Sequence, residues 1–386
     1  MRKFLYFSLI LCVASWLTGC GSSSKPVVQP QTSSFAFMQA APSAGTGMFT
    51  PALGTFSTLN GNTTFSYKLY MDPTTNQAIA MDMGSIVLSA NGTKATFEFY
   101  GGTADFPSNQ WDIWVANTDG TGNPVQISND AYDDAFPSFS PDGTKVVYAS
   151  YRPIPGDTAG DYQWQIVVAN SDGSGTAQVL PIPVGILYQM HPTYSPDGTK
   201  LAMMAGGYIN EGSVAVDGIM LTNADGTNAQ VLSNPLYSDA CYYCADELPA
   251  FTPDGSQIVF SRDNWNQSTE FEDIFVMNVD GTNQTTLTDN IGLNHDPLVL
   301  NVSGAGPRIL FSSNRDNPTA GDNGFEIYSM KMDGTSITRL TSNSLFDAFS
   351  QWWYEGQESA AARHANLLTR EHRMYRGRAA AHPVRW

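Results

Sequence analysis

Asp-Gly turns recur along this chain at almost constant intervals, and that regularity limits the folds open to it more than any other feature. The glycines of one series are Gly120, Gly173, Gly226, Gly281 and Gly334, separated by 53, 53, 55 and 53 residues. Each closes a short apolar run, as in Trp114–Gly120, Val167–Gly173 and Phe275–Gly281. A second series is interleaved with the first: Ser140-Pro-Asp-Gly143, Ser195-Pro-Asp-Gly198 and Thr252-Pro-Asp-Gly255. Two turn series sharing one period describe an array of small β units, each able to bury its faces only against its neighbours.

The stretch from Phe136 to Leu180 shows the unit. Pro137–Ser140 reads as a short strand and residues 141–143 as its hairpin loop, in which proline presets φ and glycine accepts the left-handed conformation. Lys145–Ser150, Gln165–Asn170 and Ala177–Leu180 supply three more strands. They are apolar on both faces, as strands sandwiched between layers must be. Four antiparallel strands per unit, repeated radially, is the propeller solution to exposed sheet edges. Repeats begin near Ser85, Phe136, His191, Pro249 and Pro297; the first uses Asn91-Gly92 as its hairpin, and the last is degenerate at Ser303–Gly306.

A sixth unit is assembled from the two ends. Asp347-Ala-Phe-Ser-Gln-Trp-Trp-Tyr-Glu-Gly356 aligns without gaps on Asp134-Ala-Phe-Pro-Ser-Phe-Ser-Pro-Asp-Gly143, so the C-terminal part offers an inner strand. The N-terminal part offers the rest, from Phe35–Met38 through Tyr67–Tyr70 and Ala78–Met81. The expected fold is all-β: a six-bladed β-propeller of four-stranded antiparallel blades over residues 35–356, closed by strands from both chain ends. Such closure leaves no free edge.

The flanks carry addresses rather than fold. Arg2 and Lys3 precede an apolar run, Phe4–Trp16, too short to span a bilayer and typical of an export signal. Leu17-Thr-Gly-Cys20 resembles the bacterial lipobox, which implies a signal peptide over 1–19, lipidation of Cys20 and a flexible Pro/Ser-rich tether over 20–34. In a host with two membranes, Gly21 permits sorting to the periplasmic face of the outer membrane. Residues 357–386, with six arginines against two glutamates, form a basic tail expected to be disordered or partly helical. The net charge of −17 disfavours nucleic acid as a partner. Cys241 and Cys244 are spaced for a small local disulfide in an oxidising envelope.

The phrases Pro137–Tyr148 and Asp273–Thr282, with Ser312-Ser-Asn-Arg-Asp316, resemble the TolB-type WD40-like (Pro-Asp repeat) β-propeller family, whose repeat also occurs in the propeller of prolyl oligopeptidase-type peptidases. The resemblance covers about residues 35–356 and implies the propeller fold. TolB itself carries an α/β domain before its propeller and no lipid anchor, so the chain reads as a lipoprotein member of the family and not as TolB. No Gly-x-Ser-x-Gly elbow of the peptidases occurs.

Candidate binding residues fall where the last strand of one repeat returns to the first of the next. They are Asp133, Asp134, His191, Asp246, Glu247, His295, Asp296 and Asp347, a ring of carboxylates and imidazoles at one channel mouth. The bland reading makes them solvated turn residues capping backbone amides; the sharper one gives a basic protein or peptide, or more weakly calcium, something to hold. The Asp-Gly turns themselves read as hairpin chemistry and not as metal loops. Arg152, Arg262 and Arg315 suggest ion pairs that staple loops, the latter two with the aspartates that follow them. Trp111, Trp114, Trp164 and Trp265 are expected to fill space between blades. No catalytic residue, resident metal or cofactor is assigned. The expected protein is a monomeric envelope lipoprotein with a docking propeller; the alternative is a carbohydrate- or metal-binding propeller with lyase-like activity in its channel.

Overall fold

The computed structural model describes residues 31–40, 49–59, 62–69, 83–100, 110–119, 121–157, 160–209, 214–235, 243–266, 269–317, 324–342 and 346–349. They form six four-stranded antiparallel sheets in a six-bladed propeller. The blades are numbered here from the composite one. Blade 3 is typical, with Asp134–Phe139 innermost, then Lys145–Pro153, Tyr162–Asn170 and the two-residue outer strand Gln178–Val179. The inner strands of blades 2, 4, 5 and 6 are Met83–Leu88, Ile186–Tyr194, Tyr243–Phe251 and Asn294–Val302. Each begins within a few residues of the repeat start expected from the turns.

Blade 1 joins both ends of the fold. Asp347–Ala348 lies beside Gln31–Ala40, which pairs in turn with Phe49–Leu59, and that strand with Asn62–Leu69. The expected inner strand is therefore in place, and the long second neighbour, Phe49–Leu59, is a strand the turn pattern did not show. Tyr67–Leu69 belongs to the outermost strand, and residues 78–81 lie outside the described residues.

The Asp-Gly turns explain their own regularity. In the Pro-Asp-Gly series the aspartate stitches the hairpin: Ser140 Oγ donates to Asp142 at 2.6 Å, and the Thr144 backbone N–H donates to the same oxygen at 3.0 Å. Ser195–Lys200 and Thr252–Gln257 repeat the arrangement. In the series that contains Gly173, Gly226, Gly281 and Gly334 the glycine is pressed against the blade before it. Gly281 has φ +84°, and a Cβ there would lie 2.7 Å from the Leu232 carbonyl oxygen. Only glycine meets both demands.

The apolar core is divided among the clefts between blades and does not sit at the centre. Val147, Trp164 and Ile166 of blade 3 pack on Met190, Leu201 and Met203 of blade 4. Phe35, Phe37 and Phe56 of blade 1 pack on Leu310 and Ile327 of blade 6, so closure of the ring is itself a hydrophobic interface. Each fully buried phenylalanine contributes about 1.5–3 kcal/mol. Among the described residues no helix is long and apolar enough to cross a membrane.

Candidate functional site

Every inner strand of blades 2 to 6 carries a β-bulge near its start, where the pairing register slips, as between Ala135 and Ser138 and between Met190 and Thr193. In four of them the bulged residue is a non-glycine in the left-handed region: Phe136 (φ 56°), His191 (51°), Leu248 (53°) and Asp296 (55°). Each precedes a proline (Pro137, Pro192, Pro249, Pro297). Proline has no N–H to donate, so the interrupted ladder leaves no orphan donor there. Holding such a residue left-handed costs on the order of 1 kcal/mol, and the ring accepts this cost at four equivalent places.

These bulges bring Phe136, His191, Leu248 and Asp296 to the wall of the central channel. A cavity of about 330 Å³ opens there, lined among the described residues by segments of all six blades. Apolar residues and prolines dominate the wall, including Ile86, Pro137, Pro249, Leu298 and Phe349. His191 and Asp296 are its titratable groups, on blades 4 and 6. The His191 ring meets the edge of Phe136 at a centroid distance of 3.9 Å, and its Nδ1 is 3.9 Å from Glu247 Oε2. Burial drives the His191 pKa down to about 3, opposed only in part by the Asp296 carboxylate, so the imidazole is neutral at physiological pH.

The other ring positions have a different task. Asp134 and Asp246 lie two residues before the bulge, Asp347 aligns with Asp134 in sequence, and all three are fully buried between strands. Their partners vary. Asp347 accepts from Gln39 Nε2 at 2.9 Å, which clasps the two chain ends. Asp246 takes a two-point contact from Arg262 at 2.5 and 2.8 Å, yet burial still pushes its carboxyl up. The Asp134 carboxyl faces Ser128 and Ser150, and burial raises its pKa to about 7. His295 is buried beside Asp296, Nδ1 to Oδ2 at 2.9 Å. Asp133 alone of the group is exposed and caps a backbone amide, accepting from the Trp111 N–H at 3.0 Å. The reading of these residues as solvated turn caps thus fits Asp133, and burial between strands describes Asp134, Asp246, Asp347 and His295.

The arginines do staple loops, but not to the aspartates beside them. Arg262 pairs with Asp246 instead of Asp263, Arg315 with Asp289 instead of Asp316, and Arg152 with Asp130. In each case the partner comes from the inner strand or from the segment leading into it. A further buried acid, Glu98, was not singled out in the sequence. In blade 2 the bulge residues are Gly84 and Ser85, and the Glu98 carboxyl occupies the space a Cβ at position 84 would need. Burial raises the Glu98 pKa to about 7, against hydrogen bonds from Ser85 and the Phe136 backbone. A glycine replacing the bulky bulge residue was the one available signal. Trp164 fills the blade 3–4 cleft as expected, while the Trp265 side chain, Cys241 and the Cys244 thiol lie outside the described residues. Among the described residues no group of three or more His, Cys, Asp or Glu side chains is arranged to hold a metal ion.

A wall built from six blades, the first of them joining strands from both ends of the fold, defines the molecule as a six-bladed β-propeller. Among solved structures, a putative TolB from Agrobacterium tumefaciens aligns over 84% of this chain and 91% of its own, with a TM-score of 0.50 at 16% identity. The hydrazine synthase of Kuenenia stuttgartiensis aligns over 83% of this chain and 46% of its own, with a TM-score of 0.53 at 13% identity. At such identities the likeness concerns the fold. In sequence, an uncharacterized protein of Agrobacterium fabrum is 32% identical over 93 residues, 24% of this chain and 31% of that protein, so the match spans under a third of the relative's length. No protein-family model matches the chain.

Proposed function

We propose that the chain is an exported lipoprotein, anchored through Cys20 on the periplasmic face of the outer membrane, whose propeller is a non-catalytic docking surface for a protein or peptide partner. The observation that carries the reading is the central cavity. Its wall is apolar and proline-rich, with few polar groups, and this is the composition of a binding pocket. Its neutral imidazole, His191, offers hydrogen bonding without charge, and Asp296 offers a carboxylate to a basic group. Asp134, Asp246 and Asp347 are fully buried between strands, where they support the wall.

Cross-linking in cells tests the docking. A photoreactive residue at Thr193, in the cavity wall, is compared with one at exposed Gln178 on the outer strand of blade 3. A discrete adduct from position 193, absent from 178 and lost in His191→Ala, is the expected result. A folded, lipidated protein giving no adduct at 193 would sink the reading and favour a small ligand in the channel. Anchoring is tested separately: Cys20→Ala is expected to move the protein from the membrane fraction to the soluble one.

A further inference from the structure

Away from the Asp-Gly turns, the strand ends of blades 2 and 3 gather aromatic rings at the surface. Tyr162 is 41% exposed and Tyr100 38%, whereas the phenylalanines of the ring's clefts are buried. Tyr162 stands edge-on to Tyr132 at 6.2 Å and beside Tyr151 at 5.5 Å. Tyr151 lies 5.5 Å from Trp164, and Trp164 lies 6.3 Å from Phe136. Phe136 in turn touches His191, so the series of rings runs from the surface to the wall of the cavity. On blade 2, Tyr100 and Trp111 pair at 5.5 Å, and the Trp111 N–H bond to Asp133 ties them to the same surface.

The surroundings of these rings are acidic. Asp130, Asp133, Asp157 and Asp161 lie in the adjoining segments, against Arg152 as their cation. That arginine also shows what the rings accept: its guanidinium lies 5.0 Å from the centre of the Tyr132 ring while pairing with Asp130. A cation over a tyrosine face, with carboxylates beside it, is a favourable arrangement whose strength grows with desolvation.

We propose that this surface over blades 2 and 3 binds a lysine- or arginine-bearing peptide segment of a protein partner, with the cationic side chains on the Tyr132 and Tyr162 rings and the neighbouring carboxylates around them. The proposal rests on the docking reading above and adds to it a second surface and a charge for the partner. Exposed rings alone would also suit a saccharide. The net charge of −17 and the excess of carboxylates in these loops favour the cationic segment.

The test titrates the full chain, at physiological salt, into a fluorescein-labelled peptide of alternating lysine and glycine, followed by anisotropy. Tyr132→Ala with Tyr162→Ala is expected to weaken binding roughly tenfold, the sum of two exposed cation–π contacts. Phenylalanine at both positions should restore it. Tyr67→Ala, an exposed tyrosine on blade 1, should leave it unchanged. Thermal melts confirm that each variant folds. Equal affinity in the double alanine variant, or an equal loss in Tyr67→Ala, overturns the proposal in favour of diffuse charge attraction. Tyr162-dependent binding of a neutral oligosaccharide, without binding of the peptide, overturns it in favour of a saccharide platform. The two readings separate in the unaltered chain: a Thr193 adduct in cells without binding of the lysine peptide keeps the docking cavity and removes this surface, whereas absence of both removes both.

Discussion

On the face of the ring that carries the Asp-Gly turns, aspartates are exposed, and each is satisfied by its own hairpin. Hydrogen bonds from Ser140 and Thr144 hold the Asp142 pKa down to about 2. On the opposite face a second set of acids, Asp134, Asp246 and Glu98 among them, is buried, and their partners come from other strands. Burial raises Asp134 and Glu98 to about 7 each. The same chemical group thus serves local turn geometry on one side and long-range assembly on the other. The first use repeats because every hairpin needs it. The second varies from blade to blade, with serine, arginine or glutamine as the partner, and that variation gives each blade its individuality.

The contrast can be broken most severely at Arg262. Arg262→Ala strands the fully buried Asp246 carboxylate and is expected to cost about 3–5 kcal/mol in urea unfolding. A loss below about 1 kcal/mol would show that water reaches Asp246 and that this face is less sealed than described.

The buried acids also set a pH response. The folded-state pKa of Glu98 lies above its unfolded value, so the folded form binds the extra proton. Stability should therefore be highest below 4.5 and fall as pH rises to about 7, by on the order of 3 kcal/mol. Asp134 acts in the same direction. Glu98→Gln is expected to flatten much of this slope; an unchanged profile would mean that the Glu98 carboxyl is hydrated.

On the turn face, Gly281→Ala combines a left-handed φ with a Cβ 2.7 Å from the Leu232 oxygen and is expected to cost about 2 kcal/mol. Gly92→Ala, at φ +69° with nothing within 4 Å, should cost about half as much. Equal costs would mean that the blades do not press on one another through these turns.

The smallest effect is expected at Asp142→Ala. It should lower the melting temperature slightly at neutral pH and leave it unchanged in acid. The depressed pKa means that the stabilisation is present above 3.8 and lost as pH falls toward about 2.

How much of this was legible follows the same division. The turns are local, so their spacing marked five blade starts, and the match of Asp347–Gly356 to Asp134–Gly143 marked the closing strand. Phe49–Leu59 escaped because its buried face reads Thr50, Ala52, Gly54, Phe56 and Thr58, and apolar alternation is hidden in small and polar residues. Its glycine, Gly54, makes room for Phe35, whose ring would lie 2.5 Å from a Cβ there. At the site, alignment picked out His191 and Asp296 but could not tell cavity wall from interblade seam. That distinction depends on a bulge that turns one residue toward the channel and leaves its neighbour facing a strand distant in sequence.

The clasp between Gln39 and Asp347 joins residues 308 apart. A ring closed in this way has a schedule built into it. Blades 2 to 6 can each form as their own segment becomes available, but blade 1 must wait for the last strand to arrive. Until then the edge of Gln31–Ala40 stays open, and Phe35 and Phe37 lack the neighbours that bury them. The N-terminal strand of the propeller is thus the last to be fully paired, and the interval before that pairing is when this protein most needs protection from aggregation.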